Sequence, residues 1–375
     1  MEGASLVRRV KIKRILQWST RAILVALVAW GFIAYWTSTN DCKRYAAVPT
    51  NPMKAIVYCD YGAANLKFED IEKPTPADNE VLVRVHAASV NPADGIYRGG
   101  ARIVTGLRKP KVTRLGTDFA GTVEAVGKDI TKFKPGDEVF GGRNGAFAEY
   151  VCVREDRAIA PKPANITFEQ AASVPIAAIT ALQGLRDKGK IQGGQRVLIN
   201  GASGGVGTFA VQIAKAFGAE VTGVCSTRNL EMVRSIGADQ VVDYTKADFT
   251  KGGQRYDLLF DNIGNHSFSE RRRILNPNGI CVMVGVGGSG ATGGQILGDL
   301  AGELNAFIRS RFLSQKFRTF LAQLNQKDLN TLGDLMQSGK ITPVIDKKYK
   351  LSEVPDALKY LEQGHARGKV VITVE

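Results

Sequence analysis

A glycine-dense turn is the part of this sequence whose residue types point most directly to chemistry. The apolar run RVLIN at 196–200 leads into GASGGVG at 201–207, and TFAVQIAKAFG at 208–218 follows with helical spacing. Glycines let the backbone approach a ligand closely, and the unpaired N–H groups at a helix start bind phosphate. A tight turn before a helix is the alternative. The full order of strand, turn, helix and second strand favours binding of a dinucleotide pyrophosphate.

The residues after the second strand indicate which dinucleotide binds. EVTGVC at 220–225 predicts this strand, and Ser226, Thr227 and Arg228 follow it. A free ribose 2′-hydroxyl is usually held by an acidic side chain at this position, whereas hydroxyls and a guanidinium suit a 2′-phosphate. We therefore predict NADPH as the cofactor rather than NADH.

The cysteines and histidines give no sign of a metal site or a disulfide framework. The chain has five scattered cysteines without a C-x-x-C pair and three histidines that are distant from one another and from the cysteines in sequence. They are Cys42, Cys59, Cys152, Cys225 and Cys281, and His86, His266 and His365. Zinc sites and disulfide scaffolds have recognisable spacings. We expect neither a disulfide nor a bound transition metal.

The formal net charge of +14 is unevenly distributed. Residues 1–44 hold eight Lys or Arg and two Asp or Glu, and the remaining charge is spread over a chain of ordinary globular composition. An excess of basic residues fits nucleic acid, an anionic membrane or an anionic cofactor. No motif for reading RNA or DNA is present, so we expect no nucleic-acid partner.

Residues 1–52 form a basic extension with an apolar centre. AILVALVAWGFIAYW at 22–36 is uninterrupted by charge. Its helical length of ~22 Å is short of the ~30 Å hydrocarbon core, but residues 19–38 together approach a full span. A signal peptide and a soluble helix are the alternatives, the first lacking a clean cleavage site and the second a polar face. We predict a membrane-anchor helix with the catalytic part on the cytoplasmic side; a soluble cytoplasmic protein is the alternative.

The rest of the chain divides into two patterns. Short β-rich runs separated by Pro, Gly and Asp fill 53–175, and alternating strands and helices fill 176–344. The first pattern predicts a β-rich domain and the second a doubly wound parallel sheet, so the fold class is α/β. The end of the chain, about 345–375, reads as helix and then strand and is expected to complete the first domain.

Six further stretches carry a family resemblance. They are SVNPAD (89–94), GTDFAGTVEAVG (116–127), KPGDEVFGG (134–142), GAFAEYV (145–151), AASVPIAAITAL (171–182) and HARGKVVI (365–372). With the glycine turn, their order makes residues 53–375 resemble the medium-chain dehydrogenase/reductase superfamily, in its zinc-independent, zeta-crystallin-like quinone oxidoreductase branch. The resemblance implies a GroES-like catalytic domain, a Rossmann domain and an active site between them. Relatives also suggest a homodimer.

Departures from the zinc-dependent relatives narrow the implied reaction. Those relatives carry a ligand cysteine where this chain has 89–92, and a Gly-His-Glu where it has Gly116, Thr117 and Asp118. Without a Lewis acid, alcohol oxidation loses its usual driver, whereas hydride addition to an electron-poor carbon remains feasible. The resemblance thus implies transfer of hydride to a quinone or an α,β-unsaturated carbonyl. A cofactor-binding subunit with little catalysis and a generic alcohol dehydrogenase are the alternatives.

The resemblance also assigns site residues. On the cofactor side these are Thr180, Gly201, Ser203, Gly204, Gly205, Val206, Gly207, Ser226, Thr227, Arg228, Tyr244, Ile263, Val284, Gly285 and Val286. Near the acceptor, Asn91 is expected to bond the developing enolate oxygen, although an Asn-Pro turn explains it equally. Relatives often have Tyr or Lys five residues after this Asn, where this chain has Ile96. Tyr97 or a water molecule then supplies the proton, and Asp94 and Asp118 are expected to be structural.

Overall fold

The computed structural model describes residues 28–33, 35–36, 39–95, 108–284 and 314–374. Its strands are Pro52–Tyr58 (β1), Leu66–Glu72 (β2), Glu80–Val90 (β3), Asp118–Val126 (β4), Glu138–Gly142 (β5), Tyr150–Arg154 (β6), Ile159–Pro161 (β7), Arg196–Asn200 (β8), Glu220–Cys225 (β9), Gln240–Asp243 (β10), Tyr256–Asp261 (β11), Leu275–Val284 (β12), Lys316–Phe320 (β13), Ile345–Lys350 (β14) and Lys369–Thr373 (β15). Its α-helices are Pro92–Gly95 (α1), Phe168–Ala172 (α2), Pro175–Leu182 (α3), Gly205–Ala216 (α4), Leu230–Ser235 (α5), Phe268–Arg273 (α6), Gln326–Gln337 (α7) and Val354–Glu362 (α8). Short 3₁₀ turns lie at Cys42–Ala46, Ala63–Asn65, Thr227–Asn229 and Leu351–Glu353, and a π-helical turn at Gln183–Lys188.

Six strands, of which the first leads directly into the glycine turn, build a parallel sheet. Its order is β10-β9-β8-β11-β12-β13, and every neighbouring pair is parallel. Apolar runs such as RVLIN in β8 are buried on both faces, as helix-covered parallel strands require. The strand order reverses between β8 and β11, and this reversal is where doubly wound sheets bind nucleotides. The predicted parallel sheet is confirmed.

The two ends of the catalytic region meet in a second sheet. Its order is β14-β15-β3-β4-β5-β7, with β6 also paired to β3. The last strand, β15, runs antiparallel to β3, so that Val370 lies opposite Val90. The strands β1 and β2 form a separate antiparallel pair. The C-terminal strands therefore return to the β-rich region, while the limits 53–175 and 176–344 stay a prediction.

One apolar core extends across both sheets through helix α3. Six of the eight residues of this helix are buried, and its first residue is Pro175, which needs no N–H partner at a helix start. A single cluster of buried side chains contains Phe140 of β5 together with Ile199 of β8 and Phe209 of α4. Burial of this shared surface removes apolar area from water in both sheets at once, which holds them together.

The segment before β1 is attached to the β-rich region by a disulfide. Cys42 and Cys59 are bonded, with Cα atoms 5.8 Å apart. Asn40 Nδ2 donates to the carbonyl oxygen of Cys59 at 2.8 Å, and the Thr113 hydroxyl donates to Asp41 Oδ1 at 2.6 Å. The prediction of no disulfide was wrong. The pairing depends on how the chain reverses before β1, which the cysteine spacing alone does not reveal.

The predicted anchor at 19–38 lies mostly outside the described residues. Within the described ranges, no helix is both long enough and apolar enough to cross a membrane. Residues 28–33 and 35–36 are helical, and their large side chains are exposed, Trp30 by 69% and Phe32 by 65%. The guanidinium of Arg108 lies 5.4 Å from the ring centroid of Trp36.

Candidate active site

A cavity of about 660 Å³ opens at the carboxyl ends of the parallel strands, where the strand order reverses. Its lining comes mainly from the ends of β8, β9, β10 and β11 and from a loop of the C-terminal segment. The lining residues are Asn200, Gly201, Ser203, Gly204, Val224–Asn229, Tyr244, Thr245, Phe249, Asn262, Ile263, Asn265 and Gly364–Ala366. This is the position in which open α/β sheets bind their ligands. Its size is in the range of cavities that hold cofactors.

The glycine turn forms one wall of the cavity. Gly201 has a φ of +84°, and a Cβ on Gly207 would lie 2.0 Å from the carbonyl oxygen of Gly201. A side chain at either position would therefore distort the turn. Helix α4 begins directly behind it, with Gly204 at its N-cap. Of the predicted pyrophosphate residues, Gly201, Ser203 and Gly204 line the cavity, while Gly205, Val206 and Gly207 form the first turn of α4.

The predicted 2′-phosphate residues line the same cavity. Ser226, Thr227 and Arg228 follow β9, and Tyr244 follows β10 with 60% of its surface exposed. Arg228 Nη2 donates to the carbonyl oxygen of His365 at 2.7 Å, so its guanidinium lies where the C-terminal loop meets the parallel sheet. The Thr227 hydroxyl donates to Asp243. The end of β9 thus presents hydroxyls and a cation to the cavity.

Asn229 is a cavity residue that the sequence analysis missed. Its Nδ2 donates to the hydroxyl oxygens of Ser203 at 3.0 Å and Ser226 at 3.1 Å. Among the described residues, its Oδ1 is a buried acceptor without a hydrogen-bond partner. Such an atom costs free energy unless a ligand or water satisfies it. Together with the glycine turn it fits a dinucleotide, whose sugar hydroxyls are donors. The sequence feature that could have identified Asn229 as a cavity residue is its position directly after Arg228.

The residues predicted around the nicotinamide are only partly assembled in the described structure. Ile263 lines the cavity and is 49% exposed, and Val284 ends β12. Thr180 lies on α3 outside the cavity lining, and its hydroxyl donates to the carbonyl oxygen of Ile176 at 2.7 Å. Gly285 and Val286, like the acceptor-side Tyr97 and its neighbour Ile96, fall outside the described residues.

Asn91 belongs to a buried polar network at the end of β3. The residue is 2% exposed, and its Nδ2 donates to Asp118 Oδ2 at 2.9 Å and to the carbonyl oxygen of Ser89 at 3.4 Å. Its Oδ1 accepts from the ammonium of Lys369 at 2.6 Å. The backbone N–H of Asn91 donates to Asp94 Oδ2 at 2.8 Å. The short bonds fix the carboxamide, and the contact with Ser89 is the weakest of them.

Lys369, also missed by the sequence analysis, is the cation of this network. It opens β15, and its ammonium donates to the carbonyl oxygen of Val90 at 3.0 Å and lies 3.5 Å from Asp118 Oδ2. Burial lowers the pKa of Lys369 and raises that of Asp118, while each charge favours the ionised form of the other. Burial also raises the pKa of Asp94 to about 7. The sequence feature that could have identified Lys369 as a buried cation is its position at the start of the apolar run in HARGKVVI.

These residues do not fit a zinc ion. Within the described ranges, no three His, Cys, Asp or Glu side chains are close enough to hold a metal. In the two stretches where this chain departs from the zinc-dependent relatives, the hydroxyl of Ser89 donates to Asp118 Oδ2 at 3.0 Å. The ammonium of Lys369 already supplies a positive charge beside Asp118. Zinc prefers thiolate and imidazole ligands, and a neighbouring cation would repel it.

Comparisons with known proteins agree with this geometry. Residues 77–164 match the alcohol dehydrogenase GroES-like domain, and residues 236–372 match the zinc-binding dehydrogenase domain. The chain is 35% identical over 335 residues to NAD(P)H oxidoreductase RTN4IP1, mitochondrial, of Bos taurus, an alignment that covers 79% of this chain and 82% of that protein. It is 36% identical over 343 residues to the chloroplastic NADPH-dependent alkenal/one oxidoreductase of Arabidopsis thaliana, covering 87% and 81%.

A solved structure supports the same relationship. The quinone oxidoreductase from Coxiella burnetii superposes with a TM-score of 0.74 at 32% identity, covering 87% of this chain and all of that one. Both the sequence matches and this superposition span the β-rich region and the parallel sheet. With its GroES-like sheet, its Rossmann sheet and the cavity at their junction, the chain belongs to the medium-chain dehydrogenase/reductase superfamily.

Proposed function

We propose that this protein is an NADPH-dependent oxidoreductase that transfers hydride to a quinone or an α,β-unsaturated carbonyl compound. The main support is the cavity at the reversal of strand order, bordered by the glycine turn on one side and the C-terminal loop on the other. The names of the relatives point in the same direction, since they include NAD(P)H oxidoreductases, an alkenal/one oxidoreductase and a quinone oxidoreductase. The poor fit of the Ser89–Asp118 network to zinc favours an acceptor that needs no Lewis acid.

The choice of NADPH over NADH rests on the end of β9. None of the three residues that follow β9 is acidic. Ser226 and Arg228 offer a hydroxyl and a guanidinium to the cavity, whereas the Thr227 hydroxyl beside them donates to Asp243 at the end of β10. A guanidinium forms strong, charge-assisted hydrogen bonds to phosphate. Tyr244 borders the same end of the cavity and offers a flat surface for the adenosine. In this proposal Asn229 accepts a hydrogen bond from the cofactor through its unpartnered Oδ1.

The remaining cofactor contacts follow the strand ends. The N–H groups at the start of α4 hold the diphosphate, and Thr180, Ile263, Val284, Gly285 and Val286 surround the nicotinamide side. Bound NADPH supplies the hydride for an electron-poor carbon of the acceptor. The protein's own task is to orient the acceptor, exclude water and stabilise the charge that develops on its oxygen.

Asn91 is the proposed donor to that oxygen. Its Nδ2 keeps one short bond to Asp118, while its second N–H is only loosely held by the carbonyl oxygen of Ser89 at 3.4 Å. The second N–H is therefore the one that can be exchanged for an acceptor oxygen at small cost. Tyr97, or a water molecule in its place, delivers the proton that completes the reduction.

A steady-state assay tests this function. Oxidation of NADPH is followed with a panel of quinones, enals and enones, and binding of NADPH is measured separately. Turnover with at least one of these acceptors is expected. Tight NADPH binding without turnover would instead support a cofactor-binding subunit. Alcohol oxidation that depends on added zinc would support a generic alcohol dehydrogenase.

We also propose that the N-terminal extension attaches the protein to a membrane and that the protein forms homodimers. The support for attachment is the apolar run at 22–36 and the exposure of Trp30 and Phe32, because aromatic side chains favour the membrane interface. Flotation of the full chain with liposomes, compared with a chain that begins at residue 39, tests attachment, and sedimentation tests the dimer.

A further inference from the structure

A single buried lysine side chain joins the glycine turn to Asn91. Lys369 begins β15, and its side chain is 4% exposed. The preceding residue, Gly368, donates its N–H to the carbonyl oxygen of Ser203 at 2.9 Å and forms a parallel bridge with Gly204. The backbone therefore fixes the start of β15 directly against the turn that forms one wall of the cavity.

The side chain of Lys369 spans the distance from that turn to the acceptor-side network. A Cβ on Gly205 would lie 3.1 Å from Lys369 Cδ, so the aliphatic stem packs against the start of α4. The ammonium then has three acceptors for its three N–H groups: Asn91 Oδ1 at 2.6 Å, the Val90 carbonyl oxygen at 3.0 Å and Asp118 Oδ2 at 3.5 Å. Because each of its N–H groups has an acceptor, the ammonium is fixed in place. The carboxamide of Asn91, which accepts from it, is fixed as well.

The ammonium and Asp118 together determine how the carboxamide of Asn91 is turned. Lys369 can only donate, so it requires the oxygen of the amide, and the carboxylate of Asp118 requires the nitrogen. The opposite orientation would set nitrogen against ammonium and oxygen against carboxylate. In a buried network such mismatches are costly. The remaining N–H of Asn91, at 3.4 Å from Ser89, is thereby kept in one direction.

We propose that Lys369 is a positioning residue that fixes the carboxamide of Asn91 relative to the glycine turn. It acts through Asn91 and does not itself touch the acceptor. The inference rests on the proposed function, because the amide has a task only if an acceptor oxygen binds beside it. The stem determines where the ammonium lies relative to the turn, and the ammonium determines the direction of the amide N–H.

The test separates positioning from stability with a matched pair of lysines. Lys369→Met keeps the stem and removes the ammonium, which leaves Asp118 buried without its counter-charge and destabilises the fold. Lys162→Met is the control, because the Lys162 side chain is only 5% exposed. Its ammonium bonds the carbonyl oxygen of Ile166 at 2.7 Å and lies 3.0 Å from Glu138, outside the cavity lining. Lys369→Gln retains an N–H donor and serves if Lys369→Met does not fold.

The measurements are kcat and acceptor KM, the Kd for NADPH from direct binding, and the melting temperature without cofactor. For Lys369→Met we expect kcat to fall by about tenfold or more while the Kd for NADPH changes by less than about threefold, because the interaction is used in the transition state. The kcat of Lys369→Gln should lie between those of the wild type and Lys369→Met. Lys162→Met should have a lower melting temperature than the wild type but the same kcat. An unchanged kcat in Lys369→Met, or an equal loss in Lys162→Met, would overturn the inference.

A double variant shows whether the effect passes through Asn91. If it does, Lys369→Met lowers kcat in the wild-type background but has no further effect once Asn91 is Ala. Independent, additive losses would refute the positioning role. Absence of turnover in the wild-type enzyme with every acceptor would overturn the proposed function and the positioning role together. An active wild type with an unaffected Lys369 variant would overturn the positioning role alone.

Discussion

At the scale of single residues, Asp94 carries a carboxyl group whose ionisation the fold opposes. Burial raises its pKa to about 7, although the backbone N–H of Asn91 donates to it at 2.8 Å. Between about pH 4 and pH 7 the folded protein therefore keeps a proton that the unfolded chain has lost. The contribution of Asp94 to the free energy of unfolding therefore falls across this range as the pH rises, with a slope of up to about 1.4 kcal/mol per pH unit, and it is flat above it.

Substitution of Asp94 by Asn is expected to remove that slope. Asn keeps an oxygen acceptor for the backbone N–H of Asn91 but does not titrate. Compared with the wild type, the variant should therefore gain stability steadily from about pH 4 to pH 7. Urea unfolding at several pH values measures the difference, with Asp129→Asn, an exposed site, as control. A difference between Asp94→Asn and wild type that does not change with pH would contradict the prediction.

The charge of Arg228 is expected to separate the two nicotinamide cofactors. Its guanidinium lies at the edge of the cavity, 2.7 Å from the carbonyl oxygen of His365. Arg228→Asp replaces a phosphate donor by a repelling carboxylate, so the Kd for NADPH should rise by about 10- to 100-fold, as expected for loss of a charge-assisted bond. The Kd for NADH should change by less than about threefold. Fluorescence titration with both cofactors measures the ratio.

The control for Arg228→Asp is an arginine in the helix that follows it in the chain. Arg234 lies in the last turn of α5 and pairs with Glu231 at 2.6 Å outside the cavity. Arg234→Asp changes the net charge equally, so it corrects for the long-range field of the protein. An equal loss of NADPH and NADH affinity in Arg228→Asp would argue against a 2′-phosphate contact.

At the scale of elements, the disulfide holds the segment before β1 against the β-rich region. Cys42 and Cys59 are 17 residues apart, and closing a loop of this size stabilises a folded chain by about 3 kcal/mol through the unfolded state. We expect the double variant Cys42→Ser, Cys59→Ser to lose about that much unfolding free energy. Urea unfolding of the unreduced proteins measures it.

A thiol titration provides the independent check on that bond. The three cysteines outside it are Cys152, Cys225 and Cys281, of which the last two are buried. The unreduced, denatured wild type should therefore titrate three thiols and the reduced protein five. Cys152→Ser serves as the control, since it removes one thiol and closes no loop. Five thiols before reduction would mean that the bond does not form.

The elements differ in how well the sequence predicts them. The reason is the separation along the chain between the residues whose contacts determine each element. The turn around Gly207 is a local structure, because strand, glycines and helix follow one another in the chain. The residue that excludes a Cβ from Gly207, through a contact at 2.0 Å, is Gly201, only six positions away. The disulfide and the buried Lys369 are determined by pairing between distant segments. The spacing of the cysteines does not show which of them are bonded, and a lysine in an apolar run does not show which residue it contacts.

At the scale of the whole molecule, the sequence predicts two architectures but not how their edges meet. The alternation of strands and helices was sufficient for the parallel sheet, because four of its five connections join strands that are neighbours in the sheet. The contact between Gly368 and Ser203 and the bond from Lys369 to Asn91 join parts of the chain that lie far apart. The glycine turn and its place beside the cavity were therefore predictable, and the network that holds Asn91 was not.

The place of β15 in its sheet has a consequence for biosynthesis. The six parallel strands are consecutive in the chain, so their sheet can form while translation continues. In contrast, Ser89 in β3 pairs with Val371, and Asn91 accepts a hydrogen bond from Lys369, and both partners are synthesised after all six parallel strands. Until then the part of β3 that pairs with β15 lacks this partner and is open to other strands. The parallel sheet can therefore form first during synthesis, and the network around Asn91 is completed only when β15 has left the ribosome.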